Sequence, residues 1–154
     1  MPNVQTFKAT AQLKDGVKVV TNARQFELVI DEPASLGGTD TGMNPVEALL
    51  ASLGACQSIV ARVYASKFDI ELEDFRVEVE GSLDLDGFLT ALQCAPDIPI
   101  FATRFTLKPR RLPTRWNDSW NFLESRCPVG DSLANPVHLR LNRVVIENEC
   151  ENLS

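Results

Sequence analysis

One segment limits the possible folds more than any other. From Asn44 the chain reads as a long helix with its start clearly signalled. Asn44 is a favoured N-cap, Pro45 suits the first helical position, and Glu47 stands three residues on, as in a capping box. Leu49, Leu53, Cys56, Val60 and Val63 follow at spacings of four, three, four and three, which makes one apolar stripe. Ala48, Ala51, Ser52, Gly54 and Ala55 are small, so another helix or a sheet can approach closely. Glu47, Gln57 and Arg62 interrupt the apolar stretch from Val46 to Val63. It therefore reads as the buried helix of a soluble protein, not a membrane span.

Strands flank this helix. Lys14-Asp15-Gly16 reads as a hairpin turn, with Val17, Val19 and Val20 opening the next strand, and Gln25 to Ile30 as another strand. The Gly-rich run from Leu36 to Gly42 lacks the GxxxxGK[ST] pattern of a phosphate cradle. It is expected to be a flexible strand-to-helix connection. Phe75, Val77 and Val79 alternate with charged residues, as do Phe101, Thr103, Phe105 and Leu107 with Ala102, Arg104 and Thr106. Each set predicts a strand. Thr114 to Arg126 can form a helix with Trp116, Trp120 and Leu123 on one face, interrupted at Cys127-Pro128. Val137, Leu139 and Leu141 predict a last strand, with His138 on its polar face. Segregated runs of this kind indicate an α+β two-layer protein rather than a doubly wound parallel sheet.

With 154 residues, 44% of them hydrophobic, the chain is expected to be a single domain over 1–154, its tail irregular after about 147. The charge of -6 argues against nucleic acid or an anionic membrane surface as a partner. No apolar h-region stands within Met1–Gln12, so a cytoplasmic, reducing setting is expected. One histidine, His138, excludes sites built from two or three imidazoles. Four cysteines remain, Cys56, Cys94, Cys127 and Cys150, with no CxxC among them.

Cysteine is thus the leading candidate for any chemistry. Cys56, on the apolar stripe, reads when taken alone as a small buried hydrophobe. Cys127 follows Arg126 and precedes Pro128 at a helix break, where a thiolate can gain backbone donors and a nearby cation. Cys94 and Cys150 have no catalytic surroundings in the sequence and are taken as bystanders.

Two stretches bear on that choice. Gly42-Met43-Asn44-Pro45-Val46-Glu47-Ala48-Leu49-Leu50 through Gly54-Ala55-Cys56 resembles the OsmC/Ohr family, and Arg126-Cys127-Pro128-Val129-Gly130-Asp131-Ser132-Leu133 resembles that family's second cysteine motif. The resemblance implies an intertwined homodimer in which strands of both chains flank central helices. It also implies a cysteine-based peroxidase acting on organic hydroperoxides and, less well, hydrogen peroxide. Cys56 would be the peroxidatic thiolate and Cys127 would capture its sulfenate as a disulfide. A dithiol, in some members a lipoyl group, would reset the pair, and no metal or bound cofactor would be needed.

The resemblance has gaps. Peroxidase branches of that family place a glutamate directly after the Asn-Pro pair, where this chain has Val46, with Glu47 one residue on. One residue turns a side chain by about 100° around a helix. Glu47 therefore reads either as a supporting acid or as the capping residue alone. The family's activating arginine aligns with Lys14 in one branch and with Leu36 in another. Lys14 carries the charge without a bidentate fork, and Arg24 is a further candidate cation. Residues 46 and 47 stand ~14–15 Å from Cys56 along a straight helix, so any help from them should come from the partner subunit. Two other readings stay open: a non-catalytic dimer with a thiol-sensing or small-ligand role, and a hydrolase or transferase pairing Cys56 with His138.

Overall fold

The computed structural model describes residues 3–83, 85, 100–111, 121–135 and 137–139. Expectations for Trp116 and Trp120, for Cys94 and Cys150, for Leu141 and for the tail after about 147 lie outside the described residues. Strands β1 (Thr10–Leu13), β2 (Val19–Ala23) and β3 (Phe26–Ile30) form an antiparallel sheet in that order. The Lys14-Asp15-Gly16 turn joins β1 to β2, with Gly16 at φ +61°. Helix α1 (Pro45–Tyr64) follows, continued by a 3₁₀ turn over Ala65–Phe68. Strands β4 (Glu71–Ser82) and β5 (Ile100–Arg111) pair antiparallel. A helical turn over 121–124 then leads to α2 (Pro128–Ala134). This is an α+β arrangement, as expected.

The capping box forms as the sequence predicts. Glu47 N donates to Asn44 Oδ1 and Asn44 N to Glu47 Oε2, each at 2.8 Å. Gly54 is where α1 meets β4: a Cβ there would stand 3.4 Å from Val79 Cγ2, so the absent side chain sets the helix–sheet distance. Arg62 reaches across to the Leu72 carbonyl at 2.6 Å. Leu53, Val60, Ala61, Leu123 and Cys127 are buried together, with Cys56, Tyr64, Phe75, Val79 and Val129 packed around them. Both candidate cysteines therefore belong to the core.

Three expectations change. The helix is buried on one face only. Ile59 is 65% exposed and Val63, assigned to the buried stripe, is 62% exposed, because no described element of the same chain covers that side. By length and apolarity Pro45–Phe68 could cross a bilayer, but here one face is used to pack against β4 and α2. The predicted last strand is not seen over 137–139, where Val137, His138 and Leu139 are exposed and pair with no strand among the described residues; its remainder, 140–142, lies outside them.

The Gly-rich connection is not a loose linker. Asp31, at the end of β3, is fully buried, and its Oδ2 accepts from Thr39 N, Thr39 Oγ1, Thr41 N and Thr41 Oγ1 at 2.6–3.2 Å. Its Oδ1 takes Glu32 N at 2.9 Å. Gly38 and Gly42 allow the close approach, since Cβ atoms there would lie 1.8 Å from Glu32 O and 2.4 Å from Val29 O. Ile30 bridges Met43, which delivers the chain to the Asn44 cap.

These donors, above all the Thr39 hydroxyl, hold the Asp31 carboxyl well below the usual carboxylate range. The unfolded chain, with a carboxyl of about 3.9, therefore binds a proton before the folded one does. The contribution of Asp31 should be constant above about pH 4 and should fall as pH drops below that value. Urea unfolding at pH 7 and pH 3 should show Asp31→Asn weaker than wild type at pH 7 and closer to it at pH 3. An equal gap at both values would refute this role.

Candidate functional site

The site begins at the break the sequence marks at Cys127-Pro128. Cys127 is the N-cap of α2, with Pro128 at the first helical position and Gly130 N donating to Cys127 Sγ at 3.3 Å. Its own N–H bonds to Glu124 O at 3.2 Å, which fixes the residue at the junction of two helical segments. Upstream, Phe122 is clamped by the edges of Tyr64 and Phe68, with ring centroids 5.3 and 5.2 Å away. Lys67 and Arg126 lie over the same ring at 4.3 and 4.9 Å. These contacts seat the Cys127 segment on the C-terminal half of α1.

The result is that Cys127 Sγ stands 3.1 Å from Cys56 Sγ and donates to it. Residues 71 positions apart in sequence are thus in direct contact. Both thiols are free; Cys127 is 2% exposed and Cys56 half-buried. Burial raises the Cys127 thiol above its ordinary value, and the neighbouring Cys56 sulfur adds to the rise, against the opposing bonds from Gly130 and Val129. A disulfide has an S–S length of about 2.05 Å, so roughly 1 Å of closure would bond the pair.

The supporting candidates lie elsewhere in this chain. Glu47 is occupied in the capping box at the far end of α1. Lys14 donates to Gln12 Oε1 at 2.5 Å, and Arg24 lies over Phe26 at 4.9 Å, both on the N-terminal sheet. Neither thiol has a hydrogen bond from a lysine or arginine among the described residues. His138 is exposed beyond α2. Val46 lines an apolar cavity of about 350 Å³ with Leu36, Pro45, Leu50, Leu83 and Leu85. No cluster of three or more metal-ligating side chains occurs among the described residues.

Sequence reasoning did not single out Gln57 or Gly130. Gly130 supplies an N–H to the thiol, a role belonging to backbone that no side-chain pattern reveals. Gln57 was visible as a polar interruption of the stripe. Its Oε1 is buried with no hydrogen-bond partner among the described residues, and Leu53, Gln57 and Cys127 together line a cleft of about 410 Å³.

The family model described as OsmC-like protein matches residues 38–142, which spans both cysteine segments. The chain belongs to the OsmC-like family. Its fold is similar to that of an OsmC-like protein from Mycoplasma pneumoniae, with a TM-score of 0.73 at 20% identity over 86% of this chain and 89% of that one. An organic hydroperoxide resistance protein OsmC from Legionella pneumophila gives 0.58 at 21% identity, over 86% and 91% of the two chains. One from Elizabethkingia anophelis gives 0.61 at 16% identity, over 88% and 93%. A sequence comparison with curated proteins finds no match. In this OsmC-like chain the long helix and the antiparallel strands belong to the fold these structures share.

Proposed function

We propose that this protein is a thiol-dependent peroxidase that reduces organic hydroperoxides in a reducing cytoplasm. The observation that carries the reading is the 3.1 Å contact between two free thiols, one of them almost wholly buried. Cys127 is the buried partner, its thiol pushed up by burial, and it donates to Cys56. The Cys56 thiolate attacks the terminal peroxide oxygen, the O–O bond breaks, and the alkoxide takes a proton and leaves as the alcohol. Cys56 is then a sulfenic acid. Cys127 attacks that sulfur, the S–O bond breaks, and the Cys127 proton leaves with the hydroxide as water. An external dithiol returns two electrons and two protons, and no metal or resident cofactor takes part. Two structural neighbours are named as organic hydroperoxide resistance proteins, which supports the same substrate class.

The working form in this reading is a homodimer. Ile59 and Val63, with the small exposed Ala51, Ser52 and Ala55, make an uncovered apolar helix face beside Cys56. Phe26, Leu28 and Leu13 are likewise exposed on the N-terminal sheet. A second copy covers both, and brings its own Glu47, Lys14 or Arg24 toward Cys56. A non-catalytic thiol sensor is the second reading, favoured by Val46 at the glutamate position and by the absence of a cation on either thiol among the described residues.

One equivalent of cumene hydroperoxide should remove two hydrogens from the protein and give a Cys56–Cys127 bridged peptide by mass spectrometry. Excess peroxide with a dithiol should then turn over. A bridge without turnover supports the sensor. Neither a bridge nor a sulfenate removes both readings.

A further inference from the structure

The two sulfurs face different surroundings. Cys56 borders the uncovered apolar face of α1, near Ile59 and Val63. Cys127 instead lines the cleft of about 410 Å³, and Cys56 does not. Leu53 and Leu133 line that cleft together with the polar Gln57, Ser125 and Asn135 and two acids. Glu124 and Asp131 supply carboxylates, Gln57 lines the cleft beside them, and Asn135 already gives its amide to Asp131 Oδ1 at 2.9 Å. No lysine, arginine or histidine lines it among the described residues. Two carboxylates with no cation among the described lining residues favour a cationic or hydrogen-bond-donating ligand over an anionic one.

We propose that this cleft is the docking site for the reductant, and that it selects cationic or neutral, hydrogen-bond-donating thiols over anionic ones. The inference rests on the disulfide chemistry of the proposed function but not on peroxide as the oxidant. In the exchange, the reductant thiolate attacks Cys127 Sγ from the cleft, the Cys56–Cys127 bond breaks, and Cys56 leaves as a thiolate. Burial disfavours the opposite course, in which a buried Cys127 thiolate would be expelled. A second thiol, on the same dithiol or another molecule, then attacks the reductant's sulfur in the mixed disulfide. Cys127 is released, the reductant leaves as its disulfide, and its two protons restore Cys56 and Cys127 as thiols.

The test begins with the full-length protein bridged by diamide, which needs no peroxidase activity. Its reduction by cysteamine, 2-mercaptoethanol and mercaptoacetate is timed, each rate divided by that thiol's rate on a neutral small disulfide. On this scale the cationic thiol should exceed the anionic one by about three- to tenfold, the size expected of one or two nearby charges in partial water. The ratio should shrink in Glu124→Gln and Asp131→Asn and with added salt, and should persist in Glu80→Gln on the outer face of β4. Alkylation and peptide mapping soon after one equivalent of monothiol should find the adduct on Cys127. Equal normalised rates, a ratio unchanged in both cleft variants, or an adduct on Cys56 would each overturn the proposal. If diamide forms the bridge while hydroperoxide does not, the peroxidase reading fails and the cleft is still tested. A pair that diamide cannot bridge overturns both.

Discussion

Cys56→Ser is expected to lose hydroperoxide turnover by at least about 100-fold, because a serine hydroxyl without an activating base is a poor nucleophile near neutral pH. Cys127→Ser should behave differently. It keeps the attacking thiol, so the first peroxide is still consumed, but no bridge can form. The Cys56 sulfenate then persists and is oxidised further to the sulfinic acid, which a dithiol does not reverse. The two variants therefore separate by stoichiometry: essentially no rapid peroxide consumption for Cys56→Ser, and about one to two equivalents followed by inactivation for Cys127→Ser. Stopped-flow peroxide consumption with intact-mass readout of Cys56 measures both. Equal steady-state rates in wild type and Cys127→Ser would show that the 3.1 Å contact has no part in turnover.

Leu53→Ala should unfold the protein more easily by about 3 kcal/mol, the usual cost of deleting a buried leucine side chain and leaving its cavity. Leu53 is 5% exposed in the core that holds Cys127. A Cβ placed on Gly130 would lie 3.7 Å from Leu53 Cδ1, so the leucine backs the turn that carries the buried thiol. Truncation should also slow bridge formation, since Cys127 would lose a wall of its seat. Urea titrations at one fixed protein concentration would show a lower midpoint with unchanged slope, and Leu53→Met should cost under about 1.5 kcal/mol. A Leu53→Ala variant as stable as wild type would mean that a second chain, not this core, supplies the main packing at that point.

How much could be read in advance differed by element. The α1 start was legible to the residue, because capping is local: Asn44, Pro45 and Glu47 lie within four positions and carry their own hydrogen bonds. The strand at Phe75, Val77 and Val79 was equally plain, since one face of β4 packs on α1 and the other meets solvent. The final strand is not seen over 137–139, although Val137 and Leu139 show the alternation. Asp31 escaped notice altogether. A single aspartate ending a strand carries no pattern, and its importance comes from Thr39 and Thr41 folding back onto it. Gln57 was legible only as an interruption, and its unpartnered oxygen is a property of packing.

By itself the sequence determined the α+β order, the helix that carries Cys56, the helix break that carries Cys127, and the resemblance that pairs them. Those depend on periodicity, capping and short motifs, which act over a few residues. Only the tertiary structure decided that the two sulfurs are 3.1 Å apart and that, among the described residues, one face of α1 stays uncovered. Each of these is a contact, or a missing contact, between groups distant along the chain. Such contacts are set by which apolar faces find each other on folding, and no stretch of residues records that alone.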